Sequence, residues 1–206
     1  MNTKHTSSRV PTQKRSIERV ESILLAAESC IREIGFSELK MKDISGRAKV
    51  SPSSVYQYFP DKKAILVALT ERYTKEILEA INQDLGDIND TKELDAFLAH
   101  YIHNYYGFLK KNPVVKSIIA NLAIDPTLKT EENKLNVTRA RVLSVALKAK
   151  TPKNKLTIFA DTCYWAQHSI HACVCLALQL NKKQGATMLE MTREAIVNQF
   201  EPLLGG

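Results

Sequence analysis

Nineteen residues near the N-terminus constrain this 206-residue chain more than any other stretch. From Met41 to Phe59 the sequence reads MKDISGRAKVSPSSVYQYF. Ile44, Ala48, Val50 and Val55 are spaced to pack two short helices, about Met41–Ala48 and Pro52–Tyr58, at a steep angle across a tight turn. Ala48 is small, so the helices can approach closely. Ser51 supplies a hydroxyl to cap the second of them, and Pro52 pre-sets its first turn. Pro60 stops it.

The outer face of that second helix carries Ser53, Ser54, Tyr56, Gln57 and Tyr58, with no acidic residue among them. Hydroxyls and an amide can donate to phosphate oxygens or reach base edges, and a carboxylate would repel the same phosphates. Gln57 can pair bidentately with adenine, and Lys62 lies within reach of a phosphate. The charge agrees. Residues 1–63 hold 12 Lys/Arg against 7 Asp/Glu, whereas the other 143 residues hold 17 against 15. Most of the +7 net charge therefore sits where a polyanion would be read.

The rest of the chain is periodic and helical, with seven glycines and seven prolines as punctuation. Residues 1–15 read as a flexible basic arm that includes Arg9, Lys14 and Arg15. A first helix follows from the recurrence of Ile17, Val20, Leu24, Ala27, Ile31 and Ile34, with Gly35 at its C-terminal end. Asp61 is placed to cap a long fourth helix with Ile65, Leu66, Leu69, Tyr73, Ile77, Ile81 and Leu85 inside, ended by Gly86. Five more helices are expected. Thr91 caps one with Leu94, Phe97, Leu98, Tyr101, Ile102, Tyr105 and Phe108 inward. Asn112-Pro113 starts a short apolar one ending near Ala123, and Asp125-Pro126 a longer polar one to about Lys150. Thr151-Pro152 opens a helix to about Leu180, apolar on nearly every side from Phe159 onward. Gly185 separates it from a last helix with Met188, Leu189, Thr192, Ile196 and Phe200 inside. The expected fold is all-α with about nine helices: a three-helix DNA-binding head over residues 16–63, joined by the fourth helix to a body over residues 64–206.

The pattern Ile-Leu-x-Ala-Ala … Ile-Gly-Phe … Met-x-x-Ile … Ala-x-Val-Ser-x-x-x-Val-Tyr-x-Tyr-Phe-x-x-Lys, over about Ser16 to Ala68, resembles the DNA-binding head of the tetracycline-repressor (TetR/AcrR) family. By position, the resemblance implies that Met41 and Lys42 lie where the second helix meets the backbone. It implies that Ser51, Pro52, Ser53, Ser54, Gln57 and Tyr58 lie over the groove, and that Tyr56 and Lys62 contact phosphate. Two positions depart from the family pattern. Lys49 stands where glycine is usual in the turn; a left-handed backbone there costs on the order of 1 kcal/mol relative to glycine, and the lysine is a further candidate phosphate contact. Lys40 stands where threonine often caps the second helix.

The resemblance implies a homodimer through the last two long helices, reading a palindromic double-stranded operator, with a small organic effector held inside the body. Tyr101, Tyr105, Phe108, Tyr164, Trp165 and His168 are the candidate pocket walls. The leading reading is a one-component transcriptional regulator of repressor type, released from DNA by its effector. The alternative is a DNA-bound interaction protein of the same fold whose body recruits a protein partner. No metal site or cofactor is expected: His100/His103 and His168/His171 are helical i,i+3 pairs, but Cys173 and Cys175 diverge by about 200° around their helix and cannot both join one site. No enzyme is expected either, because the chain has no Gly-rich phosphate loop, no nucleophile elbow and no paired carboxylates beside an apolar cleft. Its four cysteines do not suggest a disulfide framework, and no apolar run or leader-like segment points to a membrane or to secretion, which makes a cytoplasmic protein the expectation.

Overall fold

A computed structural model describes residues 9–82, 88, 90–147 and 151–204. Among these, nine α-helices and no strand are found: α1 (Arg9–Glu38), α2 (Met41–Ala48), α3 (Pro52–Tyr58), α4 (Lys62–Asn82), α5 (Thr91–Lys111), α6 (Pro113–Ile124), α7 (Lys129–Leu147), α8 (Leu156–Ala177) and α9 (Lys182–Phe200). Short 3₁₀ turns lie at Pro126–Leu128, Lys153–Lys155 and Glu201–Leu203. The contacts divide the chain into two compact units, residues 1–69 and 70–206. Among the described residues no helix is long and apolar enough to cross a membrane.

In the N-terminal unit, α1 to α3 and the start of α4 surround a core of Ile23, Leu24, Ala27, Cys30, Ile31, Phe36, Leu39, Ile44, Val55, Phe59, Ile65 and Leu66. The burial corrects the expected stripe on α1. Ile17 is 62% exposed and Ile34 is 45% exposed, and Ile23 and Cys30 take their places. A strict seven-residue repeat drifts by about 20° per heptad on a straight helix, so the ends of a long stripe turn away from the core its middle fills. The basic arm is corrected as well. Helix α1 already includes Arg9 to Arg15, because Pro11 falls in the first turn, where its missing N–H has no partner to lose. Residues 1–8 lie outside the described residues.

Gly35 interrupts α1 with φ 76° and ψ 162°, a backbone state essentially reserved for glycine. The space around its missing side chain is open, so the backbone, not packing, demands glycine there.

In the C-terminal unit, α5, α8 and α9 pack together, and Leu94, Leu98, Tyr101, Ile102 and Tyr105 of α5 and Phe159, Ala166, Ile170 and Val174 of α8 are all buried. Phe159 of α8 and Phe200 of α9 meet edge to face at 5.9 Å. Arg193 of α9 pairs with Asp95 of α5 and with Glu190 one turn back. Three expected helix boundaries are corrected. Asp90, not Thr91, caps α5, its carboxylate accepting from the Glu93 N–H at 2.7 Å, so Thr91 is the first helical residue. Thr151 caps nothing: its hydroxyl donates back to Leu147 O at 3.4 Å, and α8 begins at Leu156 after a 3₁₀ turn.

Gly185 is the third. It lies within α9, whose cap is Asn181, accepting from the Gln184 N–H at 3.0 Å. A Cβ at Gly185 would stand 2.9 Å from the carbonyl oxygen of Ala177, so the glycine is there for close approach of α8 and α9. The expected helix end near Lys150 and the inward side chains of Ile81 and Leu85, with the stop at Gly86, lie outside the described residues.

Candidate nucleic-acid interface

The local chemistry of residues 40–62 explains why a short helix is presented with its polar side outward. Lys40 precedes α2 in extended backbone and has no acceptor to cap it; the Asp43 carboxylate accepts from the Lys40 N–H at 3.0 Å, which is one half of a capping box. At the other end Lys49 adopts φ 54° and ψ 44°, the left-handed C-cap state. It is the one non-glycine with positive φ among the described residues. The next N–H, of Val50, donates to Ser45 O at 3.0 Å and closes the turn. Ser51 then caps α3, accepting from the Ser54 N–H at 3.2 Å.

On α3 the residues divide by helical angle. Val55 is buried, while Ser53, Tyr56 and Gln57, related by i,i+3 and i,i+4 spacing, share the exposed side. Tyr56 is 53% exposed. Ser51 and Pro52 are exposed at the start of the helix, and the Ser51 and Ser53 hydroxyls are hydrogen-bonded at 2.9 Å. Ser54 and Tyr58 are half-buried on the flank. Lys42 and Lys49 are exposed and Met41 is half-buried. No carboxylate occurs between Asp43 and Asp61. The surface can donate hydrogen bonds from hydroxyls and an amide, flanked by ammonium groups, and it repels no phosphate.

Two cations hold this surface in place. Arg47 of α2 reaches α1, where its guanidinium bonds the Ser29 hydroxyl and the Glu33 carboxylate. That hydrogen bond lowers the Glu33 carboxyl below its ordinary range. Arg47 was not anticipated from the sequence, since nothing in its spacing marks a partner fourteen residues back. Lys62 is a correction. Expected to contact phosphate, it turns inward: its ammonium donates to Phe36 O at 3.1 Å and Ser37 O at 2.9 Å and lies 4.9 Å from the Phe36 ring centre. The carbonyls exposed after the Gly35 break attract it. Asp61 caps α4 as expected, accepting from the Ala64 N–H at 2.8 Å.

The six expected pocket walls do not come together. Tyr101 and Tyr105 are buried and Phe108 is half-buried against Tyr73, with ring centres 6.2 Å apart. Tyr164 and Trp165, however, are 37% and 43% exposed, and the half-buried His168 packs on Tyr164 at 4.3 Å. All three lie off the inner face of α8, which is drawn by Phe159, Cys163, Ala166, Ile170 and Val174. Within the largely apolar packing of α5 on α8, two contacts are polar. The Tyr101 hydroxyl donates to Gln167 Oε1 at 2.6 Å, and the Tyr105 hydroxyl and His171 Nδ1 are 2.7 Å apart. Burial pushes the Tyr101 phenol up to about 12 and raises that of Tyr105, while burial and the nearby Arg139 charge push His171 down to about 4. Both phenols and the imidazole are thus neutral near pH 7. Among the described residues no three His, Cys, Asp or Glu side chains gather as a metal site, and the His100 ring is engaged with Asn104 at 2.7 Å.

Comparison with known proteins places both units. Residues 23–69 match the bacterial regulatory proteins of the tetR family, and residues 92–204 match the tetracycline-repressor-like C-terminal domain. The HTH-type transcriptional activator FasR of Mycolicibacterium smegmatis is 26% identical over 96 residues, 44% of each chain. An HTH-type transcriptional regulator of Mycobacterium tuberculosis is 31% identical over 65 residues, 32% of this chain and 34% of that protein. The chain therefore matches less than half the length of these curated relatives. Among solved structures, the regulator SCO7518 of Streptomyces coelicolor A3(2) aligns with a TM-score of 0.70 at 20% identity, covering 88% of this chain and 98% of that one. FadR of Bacillus subtilis, solved with stearoyl-CoA, aligns with a TM-score of 0.64 at 17% identity over 87% and 98%. At these identities the structures establish the shared all-α fold.

Proposed function

This chain belongs to the tetracycline-repressor family of bacterial transcriptional regulators, and from that premise we propose a ligand-released repressor that binds a palindromic operator as a homodimer. The observation that carries the reading is the acid-free exposed side of α3, held between a left-handed Lys49 and an inward Lys62. We assign DNA reading to residues 16–63 and effector binding and dimerisation to residues 64–206. In the head, Ser51, Pro52, Ser53, Ser54, Gln57 and Tyr58 lie over the groove, Tyr56 contacts a phosphate, and Met41, Lys42 and Lys49 approach the backbone. Lys62 positions rather than contacts.

Dimerisation through α8 and α9 has support in a second apolar stripe. Ile158, Trp165, Ala172 and Leu176 follow one another at helical spacing on the exposed side of α8, and Met191 is exposed on α9. Two copies of α3 about one duplex turn apart, ~34–36 Å, would match a palindrome. In this reading the effector binds the DNA-incompetent arrangement better, by about 10⁴-fold if it is to reverse a 1:99 population, and α4, which carries residues of both units, transmits the difference. An effector-responsive body is in keeping with the structural neighbour solved with stearoyl-CoA; the repressor sense distinguishes this proposal from FasR, an activator.

The test is operator binding on a duplex recovered by selection from random DNA. Ser53→Ala and Tyr58→Ala are expected to weaken binding about tenfold or more each, the loss of one good base contact, while the folded dimer persists by light scattering. Wild-type affinity in both variants, or no selected duplex at all, overturns the reading.

A further inference from the structure

The body buries a positive charge that the DNA-reading face does not use. Arg139 of α7 is 5% exposed. Its Nη2 donates to Thr74 Oγ1 at 3.0 Å, its Nε is enclosed without an acceptor, and no carboxylate among the described residues pairs with it. Gln167 of α8, 2% exposed, is in a similar state: its Oε1 is taken by Tyr101, and its Nε2 is enclosed without an acceptor. Arg139 acts electrostatically on Tyr101, Tyr105, His171 and Cys175, which places it in the same polar cluster between α5, α7 and α8. Both orphan groups are donors. Among the described residues the cluster offers these two donors no acceptor, and it holds no negative charge.

Burying a cation without a counter-charge is strongly unfavourable, and buried donors without acceptors compound the cost. We propose that Arg139 and Gln167 are the anion end of a ligand site in the body and that the ligand is an organic monocarboxylate. This inference rests on the reading of the body as effector-binding. The charge balance selects the class. Lys116 acts on Cys175, but among the described residues Arg139 is the one fixed charge that acts on Tyr101, Tyr105 and His171, which are themselves neutral, so one negative charge at that end of the cluster cancels it. A phosphate monoester, near −2, would leave an uncompensated anion. A carboxylate is planar, accepts in parallel from a guanidinium edge, and has lone pairs left for the Gln167 amide. The neighbouring inward positions on the same helices, Leu98, Ile102, Leu143 and Ile170, are apolar and buried, which suits a hydrocarbon skeleton behind the acid.

The experiment titrates the full-length protein with butyrate, octanoate, laurate and benzoate, each beside the primary amide of the same skeleton, at constant ionic strength. At least one acid is expected to bind saturably and at least tenfold more tightly than its amide. Arg139→Gln is expected to remove at least tenfold of that affinity, and Arg139→Lys to keep a preference for acid over amide. Arg139→Met is expected to raise the thermal midpoint of the ligand-free protein by relieving the unpaired charge. The proposal is overturned if no acid in the panel binds, if acids and amides bind alike, if Arg139→Gln binds the acid as wild type does, or if Arg139→Met lowers the midpoint. Should Arg139→Gln fail to fold, the acid–amide comparison on wild type decides alone. Operator binding separates the two readings. An acid held by Arg139 that leaves operator affinity unchanged sinks ligand release and keeps the site; a coenzyme A thioester that releases operator while the free acids do not bind sinks the site and keeps ligand release.

Discussion

The two units bury polarity in opposite ways. In the N-terminal unit the charged groups are at or near the surface, and its one buried polar side chain among the described residues, Ser45, bonds Lys42 O three residues back. Its organising bonds are short-range or link adjacent helices: Asp43 to Lys40, Ser51 to Ser54, Arg47 to Ser29 and Glu33, Lys62 to the carbonyls after Gly35. In the C-terminal unit Arg139, Gln167, Tyr101 and Tyr105 are enclosed, and two of their bonds span 66 residues of sequence. A reading surface needs polar groups exposed on a stiff frame. A binding interior needs polar groups withheld from water, with partners left over for a guest.

The largest expected effect that separates the units comes from His171. Its imidazole is pushed down to about 4 from an ordinary 6.5, so folding favours the neutral form. The stability this lends is complete above about pH 6.5 and is lost as pH falls toward 4, because the unfolded chain takes up the proton first. The body should therefore lose up to roughly 1.4 kcal/mol per pH unit across that window, and His171→Gln should flatten the profile. Urea melts at pH 7, 6, 5 and 4 measure it, with the wild-type minus variant difference as the quantity read. The described part of the head contains no histidine, so a loss of head structure over the same window in wild type but not in the variant would break the contrast.

A smaller effect tests whether each unit is limited by backbone or by packing. Gly185→Ala drives a methyl to 2.9 Å from a backbone carbonyl and should destabilise the body by about 2–3 kcal/mol, within the range of overpacked sites. Gly35→Ala meets no neighbour but cannot hold φ 76° without strain, and should cost the head about 1–2 kcal/mol. Equal, negligible costs in denaturant melts would show that neither constraint operates. Smallest of all, Lys49→Gly should stabilise the head by about 0.5–1 kcal/mol, because glycine adopts the left-handed turn freely. A gain in melting midpoint accompanied by weaker DNA binding would identify Lys49 as a phosphate contact retained at a cost in stability.

How much of this was legible in the sequence follows the same division. The limits of α2 and α3 could be read to the residue because turn chemistry marks them: the residue at position 49 at the end of α2, Ser51 and Pro52 at the start of α3, and Pro60 just beyond its end. The body's helices were legible as periods, but their ends were displaced wherever a cap-like residue was doing something else, as Thr151 and Gly185 are. The pocket walls failed for a different reason. Aromatic content says that a helix has a rich face, and only packing decides which face turns in. Tyr164 and Trp165 lie one and two positions from the buried Cys163 and are turned out by it. Arg139 and Gln167 carried no local mark at all, since an arginine in a polar helix looks solvated until its neighbours close over it.

Lys62 has one further consequence, in the ion atmosphere of the duplex. A protein that neutralises phosphates releases counterions, and each neutralised phosphate steepens the dependence of log affinity on log salt by about 0.9. With its ammonium committed to Phe36 and Ser37, the head would bring one fewer cation to that exchange. Two heads on one operator would show an exponent shallower by about 1.8 than a count of nearby lysines suggests. The operator complex would thus be less sensitive to ionic strength, with more of its affinity held in the hydroxyl and amide contacts of α3.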